Sequence, residues 1–156
     1  MPGLEDLYRE IILDHYRNPR NRGELECPPA HRVEGFNPLC GDEIVLYVQL
    51  DADGNLADIR ISGQGCSISQ SSASMMSAAV KGKSVAEIDD ITKAFKAMMS
   101  IHENSLEGGD ASEPVDAPDV KLGDLEALRG VVKFPVRIKC ATLAWNTLSQ
   151  GISEAQ

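Results

Sequence analysis

Four thiols and one carboxylate hold most of the reactive potential of this chain. Cys40 stands in Asn37-Pro38-Leu39-Cys40-Gly41-Asp42, Cys66 follows Gly63-Gln64-Gly65, Cys140 lies in Arg137-Ile138-Lys139-Cys140, and Cys27 precedes Pro28-Pro29. Thiolates ligate zinc and iron–sulfur clusters, and they are the nucleophiles of sulfur chemistry. An even count also permits two disulfides, but a 156-residue chain without an export signal does not call for such staples. The plainer alternative treats all four as small buried hydrophobes. Asp42 is separated from Cys40 only by Gly41. A strand beginning at Gly41 turns both side chains to the same side, within reach of one metal ion. A turn aspartate bonded to nearby backbone N–H groups is the competing reading.

The elements that must position these groups are legible from pattern. Leu4, Leu7, Tyr8, Ile11 and Ile12 recur at helical spacing, predicting a helix over residues 4–17 that Asn18-Pro19 stops. Residues 18–31 read as loop. Ile44, Leu46, Val48 and Leu50 alternate as a strand, residues 51–55 turn, and Ala57, Ile59 and Ile61 alternate again, giving a hairpin with one buried face. Residues 31–36 supply a third strand. Gly63-Gln64-Gly65 breaks the strand just before Cys66, and a helix rich in small residues runs over 67–80. Cys66 therefore stands at a helix N-terminus, where the positive end of the macrodipole favours a thiolate. The flanking glycines either let backbone approach a ligand or serve a tight turn alone.

Ser84-Val85-Ala86-Glu87 is a capping box opening a further helix through Ile88, Ile91, Phe95 and Met98. Residues 102–121 hold six acidic residues, two prolines and two glycines with little apolar patterning, and read as a mobile acidic insertion. Asp124 is expected to cap a short helix through Leu125 and Leu128. A last helix after Pro135 carries Val136, Cys140, Leu143, Ala144 and Leu148 on one side. The expected fold is α+β: a small three-stranded antiparallel sheet with helices packed on one face, residues 1–156 forming one domain.

Composition narrows the function. Net charge is −9, from 15 basic and 24 acidic residues, which disfavours nucleic acid as the main partner. No apolar stretch reaches the roughly 20 residues of a membrane span. The first residues lack a basic region followed by an apolar one, so the chain is expected in the cytoplasm. Cys27 and the scattered histidines His15, His31 and His102 read as bystanders. Met75-Met76 and Met98-Met99 read as core or interface, and Trp145 as packing for the last helix.

Three ordered segments carry a family likeness. Asn37-Pro38-Leu39-Cys40-Gly41-Asp42, then the run from Gly63 to Ser74 around Cys66, then Arg137-Ile138-Lys139-Cys140-Ala141-Thr142-Leu143-Ala144-Trp145 resemble the signature segments of the IscU/SufU (NifU N-terminal-like) iron–sulfur assembly family. The likeness extends to the opening helix and its Tyr16-Arg17-Asn18-Pro19 end. Two features resemble the SufU branch: Lys139 stands where IscU-type scaffolds usually carry histidine, and the acidic insertion falls between the second and third motif cysteines.

The resemblance implies a Cys3Asp zinc site of Cys40, Asp42, Cys66 and Cys140. It also implies a zinc-dependent sulfur acceptor that takes persulfide sulfur from a cysteine desulfurase of the SufS type and passes it to downstream iron–sulfur assembly proteins. Cys40 is the expected acceptor, since its Pro-flanked loop can swing while Cys66 and Cys140 are tied to helices. Three thiolates and a carboxylate around Zn²⁺ leave a net negative site, and Arg137, one turn before Cys140, is the cation expected beside it. Two alternatives use the same residues: a scaffold assembling a transient [2Fe–2S] cluster, and a purely structural zinc module.

Overall fold

The computed structural model describes residues 2–27, 30–38, 41–106, 123–133 and 135–155. In chain order these form helix α1 (Pro2–Arg17), strands β1 (His31–Asn37), β2 (Asp42–Leu50) and β3 (Leu56–Gln64), helices α2 (Ser67–Val80) and α3 (Val85–Leu106), a 3-10 helix (Gly123–Lys133) and helix α4 (Pro135–Ala155). The expected α+β architecture is the one observed.

The strands pair antiparallel in the order β1-β2-β3. Register aligns Val33 with Leu46 and Leu46 with Ile61, a row of branched side chains on the inner face. Val48 and Ile59 form the next pair, and all five are buried. Between β2 and β3, the Asp51 carboxylate accepts from the backbone N–H groups of Asp53 and Asn55, each at 2.9 Å, while Gly54 adopts φ 81°. The outer face mixes polar residues with Phe36, Val45 and Tyr47; Phe36 is exposed, while Tyr47, in register between Arg32 and Arg60, is buried.

Helix α4 packs on β1 and β2 at close range. A Cβ added to Gly35 would stand 1.9 Å from Thr147 Oγ1, and one added to Gly151 would stand 2.7 Å from Val33 Cγ1. Both absences of side chain let the helix lie against the sheet. Trp145 stacks on Phe95 of α3 with ring centroids 4.7 Å apart. Met75, Met76 and Met99 are buried core, as read from the sequence.

Helix α2 is nearly enclosed, which its small residues permit. Buried hydroxyls on it find acceptors, among them those of Ser71, Ser72 and Ser77. Ser72 Oγ donates to the Ala141 carbonyl at 2.6 Å, joining α2 to α4, and Ser71 donates to the Ser67 carbonyl. His15 is buried and bonded on both nitrogens, to Ser74 Oγ at 2.8 Å and to Asp124 Oδ2 at 3.0 Å, so it is a satisfied histidine joining three elements.

Two expectations change. Helix α3 continues to Leu106, five residues into the segment read as insertion. The chain offers no glycine or proline before Gly108, so nothing local stops the helix earlier. The rest of that insertion, residues 107–121, lies outside the described residues. Asp124 lies within the 3-10 helix instead of preceding it, and its carboxylate faces His15.

Candidate metal centre

Three of the residues singled out from the sequence meet at one end of the sheet. Ligand atoms of Asp42, Cys66 and Cys140 all lie within 4.8 Å of one another. Each arrives by a different route. Asp42 opens β2 with the same parity as Ile44, Leu46 and Val48, so strand alternation turns it to the helix-covered face. There it is fully buried. Cys140 sits near the start of α4, also fully buried, and is delivered by the close crossing of that helix over the sheet.

Cys66 is the N-cap of α2, with extended φ −71° and ψ 168°. Serine, threonine, asparagine and aspartate usually fill that place, their side-chain oxygen accepting from a backbone N–H of the first turn. Here Cys66 Sγ accepts from Ser69 N–H at 3.4 Å. The sulfur is thereby aimed along the helix N-terminus, where the dipole favours negative charge. The backbone N–H of Cys66 donates in turn to Asp42 Oδ1 at 2.9 Å.

The glycines before Cys66 have specific tasks. Gly63 adopts φ 108°, and a Cβ there would stand 2.3 Å from the Glu43 carbonyl oxygen. A Cβ on Gly65 would stand 2.5 Å from Asp42 Oδ1. The bare backbone at Gly65 makes room for the carboxylate.

This donor set fits zinc. An oxygen and a sulfur held by one tetrahedral zinc, at about 2.0 and 2.3 Å from it, stand about 3.5 Å apart. Asp42 Oδ2 and Cys66 Sγ are 3.9 Å apart, so a small shift brings the observed pair to that spacing. Among the described residues, the hydrogen bonds of the Asp42 carboxylate are those with the N–H and thiol of Cys66. A fully buried carboxylate beside two sulfurs calls for a cation, and one divalent ion would serve all three groups.

Cys40, the fourth expected ligand, lies outside the described residues. Asn37 and Asp42 pair as the last residues of β1 and the first of β2, so Cys40 belongs to the connection between these paired ends. Arg137 and Lys139 are exposed on the first turns of α4. Cys27 is exposed and takes no part in the group. Asn37 stands out in the sequence only as the first residue of a motif, yet its Nδ2 donates to Cys140 Sγ at 3.8 Å. Its place, five residues before Asp42 on a strand of inward parity, was the available signal.

The model of the NifU-like N terminal domain matches residues 7–141. The chain belongs to this family. It is 44% identical over 153 residues to the zinc-dependent sulfurtransferase SufU of Bacillus subtilis, covering 98% of this chain and 94% of that one. It is 40% identical to the iron–sulfur cluster assembly scaffold protein IscU of Streptococcus pyogenes, covering 97% and 86%. Among solved structures, a putative iron–sulfur cluster assembly scaffold protein for the SUF system from Fervidobacterium islandicum superposes with a TM-score of 0.67 at 32% identity, over 92% of this chain and 94% of that one. The N-terminal part of a NifU-like protein from Brucella abortus shares the fold, with a TM-score of 0.75 at 24% identity, over 97% and 95%. Among the described residues, no helix is long and apolar enough to cross a membrane.

Proposed function

We propose that this member of the NifU-like family is a zinc-dependent sulfurtransferase, accepting persulfide sulfur from a cysteine desulfurase for iron–sulfur cluster assembly. The observation that carries the reading is the converging Asp42, Cys66 and Cys140 group in a chain 44% identical to a zinc-dependent sulfurtransferase. Cys40 completes the ligand set in this reading. Bound zinc would keep the ligating thiols deprotonated near neutral pH.

The chain's own residues divide the work. Asp42, Cys66 and Cys140 are anchored in regular elements and hold the site. Cys40 is the acceptor. On docking, a ligand from the desulfurase would take its place in the ligand set; the freed Cys40 thiolate attacks the outer sulfur of the desulfurase persulfide, a new sulfur–sulfur bond forms on Cys40, and the desulfurase cysteine departs as thiolate. The transferred sulfur keeps its proton and no external oxidant or reductant is needed. Arg137, exposed on the first turn of α4, supplies positive charge for the arriving sulfur. The partner is a desulfurase of the SufS type, with downstream assembly proteins receiving the sulfur.

A second reading, a scaffold that builds a [2Fe–2S] cluster on the same residues, draws on the 40% identity to a protein named as such a scaffold. Lys139 in the place where IscU-type scaffolds carry histidine disfavours it. Purified protein is assayed for zinc, for stimulation of cysteine desulfurase, and for a cluster after anaerobic reconstitution. Zinc at about one per chain, the occupancy of a single tetrahedral site, with desulfurase stimulation supports the sulfurtransferase. A stable stoichiometric cluster without stimulation supports the scaffold. Zinc without either activity supports a structural module.

A further inference from the structure

We propose that Asn37 is a positioning residue of the metal centre, holding Cys140 through an N–H···S hydrogen bond and keeping it a fixed ligand that does not take sulfur. The inference rests on the metal reading above and concerns how the thiols are given different roles.

Asn37 closes β1 with the inward parity of Val33 and Gly35. Its backbone is in register with Asp42, and its side-chain Nδ2 reaches Cys140 Sγ at 3.8 Å. One residue therefore ties together two ligands from opposite ends of the sequence. Asn37 is 6% exposed and Cys140 fully buried, so water does not compete for this contact.

Chemistry gives the bond its consequence. A buried thiolate without solvent needs donors, and an amide N–H draws charge away from the sulfur. A sulfur so engaged is a poorer nucleophile, and a fully buried one is out of reach of a macromolecular donor. Cys66 is held differently, by the Ser69 N–H of its own helix, and is half-buried. Cys140 is thus the most restrained of the described thiols. Groups that orient metal ligands typically contribute 10–100-fold to metal affinity.

The test uses the full chain with Asn37→Asp, which keeps the shape but replaces the amide donor with an acceptor, and Asn37→Ala. Zinc affinity is measured by competition with a chromophoric chelator. Cobalt is then loaded and its thiolate-to-metal charge-transfer absorption recorded. The expected result is a loss of zinc affinity of about 10-fold or more and a displaced charge-transfer band, larger in Asn37→Asp, where a carboxylate oxygen faces the sulfur. Far-UV circular dichroism on the same samples checks the fold, and the uncharged Asn37→Ala decides the matter if Asn37→Asp does not fold. Affinity and band unchanged from wild type in both variants overturn the inference. Wild-type protein that binds neither zinc nor cobalt overturns the metal reading itself.

Discussion

The backbone N–H of Cys66 donates to Oδ1 of Asp42 at 2.9 Å, binding the N-cap of α2 to the first residue of β2. Sheet and helix meet through the protein's own atoms at the place where ligands converge. Cys66 thus does two jobs that chemistry can separate, capping a helix and offering a thiolate.

Replacing Cys66 with serine should keep the cap and lose the metal. A serine hydroxyl is a preferred N-cap acceptor, whereas alanine offers none, and the difference between them is about 1 kcal/mol. Metal-stripped Cys66→Ser is expected to be more stable than metal-stripped Cys66→Ala by that amount in urea unfolding, while neither retains zinc. Equal stability of the two variants would show that the Sγ to Ser69 contact does not cap the helix.

Gly65→Ala should damage the centre without replacing a ligand. Its Cβ would stand 2.5 Å from Asp42 Oδ1, so the carboxylate must shift. The expected outcome is weaker zinc retention against a chelator, with the helix and strand content of wild type by circular dichroism. Zinc retention equal to wild type would mean that the carboxylate position is not critical.

Asp42→Ala should weaken zinc binding less than Cys66→Ser. Oxygen is one ligand of four, and thiolates suit zinc better. Elemental analysis after dialysis against chelator should rank zinc content as wild type, then Asp42→Ala, then Cys66→Ser. The reverse order of the two variants would contradict the ligand assignments.

What the sequence made legible was what local pattern controls. Alternation of Ile44, Leu46 and Val48 located β2 and, by parity, the face on which Asp42 lies. The Gly63-Gln64-Gly65 break placed Cys66 at the start of α2, and Ser84 with Glu87 marked the start of α3, where Glu87 N–H donates to Ser84 Oγ at 3.1 Å. The end of α3 was less legible, because acidic residues are compatible with both helix and loop until Gly108 intervenes. The arrival of Cys140 was written in no local pattern. It depends on α4 crossing the sheet at Gly35 and Gly151, a contact between distant segments. The Asn37 contact with Cys140 has the same origin.

Acid should loosen the junction of β1 and the end of α4. His31 Nε2 bonds Glu154 Oε1 at 2.7 Å and, with Gln150, holds the Glu154 carboxyl below its ordinary value. A carboxylate whose pKa is depressed on folding contributes stability above its unfolded pKa and loses it as pH falls through the folded one. The thermal midpoint of wild type should therefore exceed that of Glu154→Gln by a small margin near neutral pH, since both groups are exposed to solvent. The margin should close below the usual carboxylate range. A margin that persists in acid would place its cause elsewhere than in this pair.

The central claim is that sulfur arrives on Cys40 while Asp42, Cys66 and Cys140 hold the site. The direct measurement is persulfide mapping by mass spectrometry under non-reducing conditions, after wild-type and Cys40→Ser proteins are incubated with cysteine desulfurase and cysteine. Wild type should carry the added sulfur on the Cys40 peptide, and Cys40→Ser should accept none and fail to stimulate the desulfurase. Sulfur accepted by Cys40→Ser at the wild-type rate, on Cys66 or Cys140, would contradict the account.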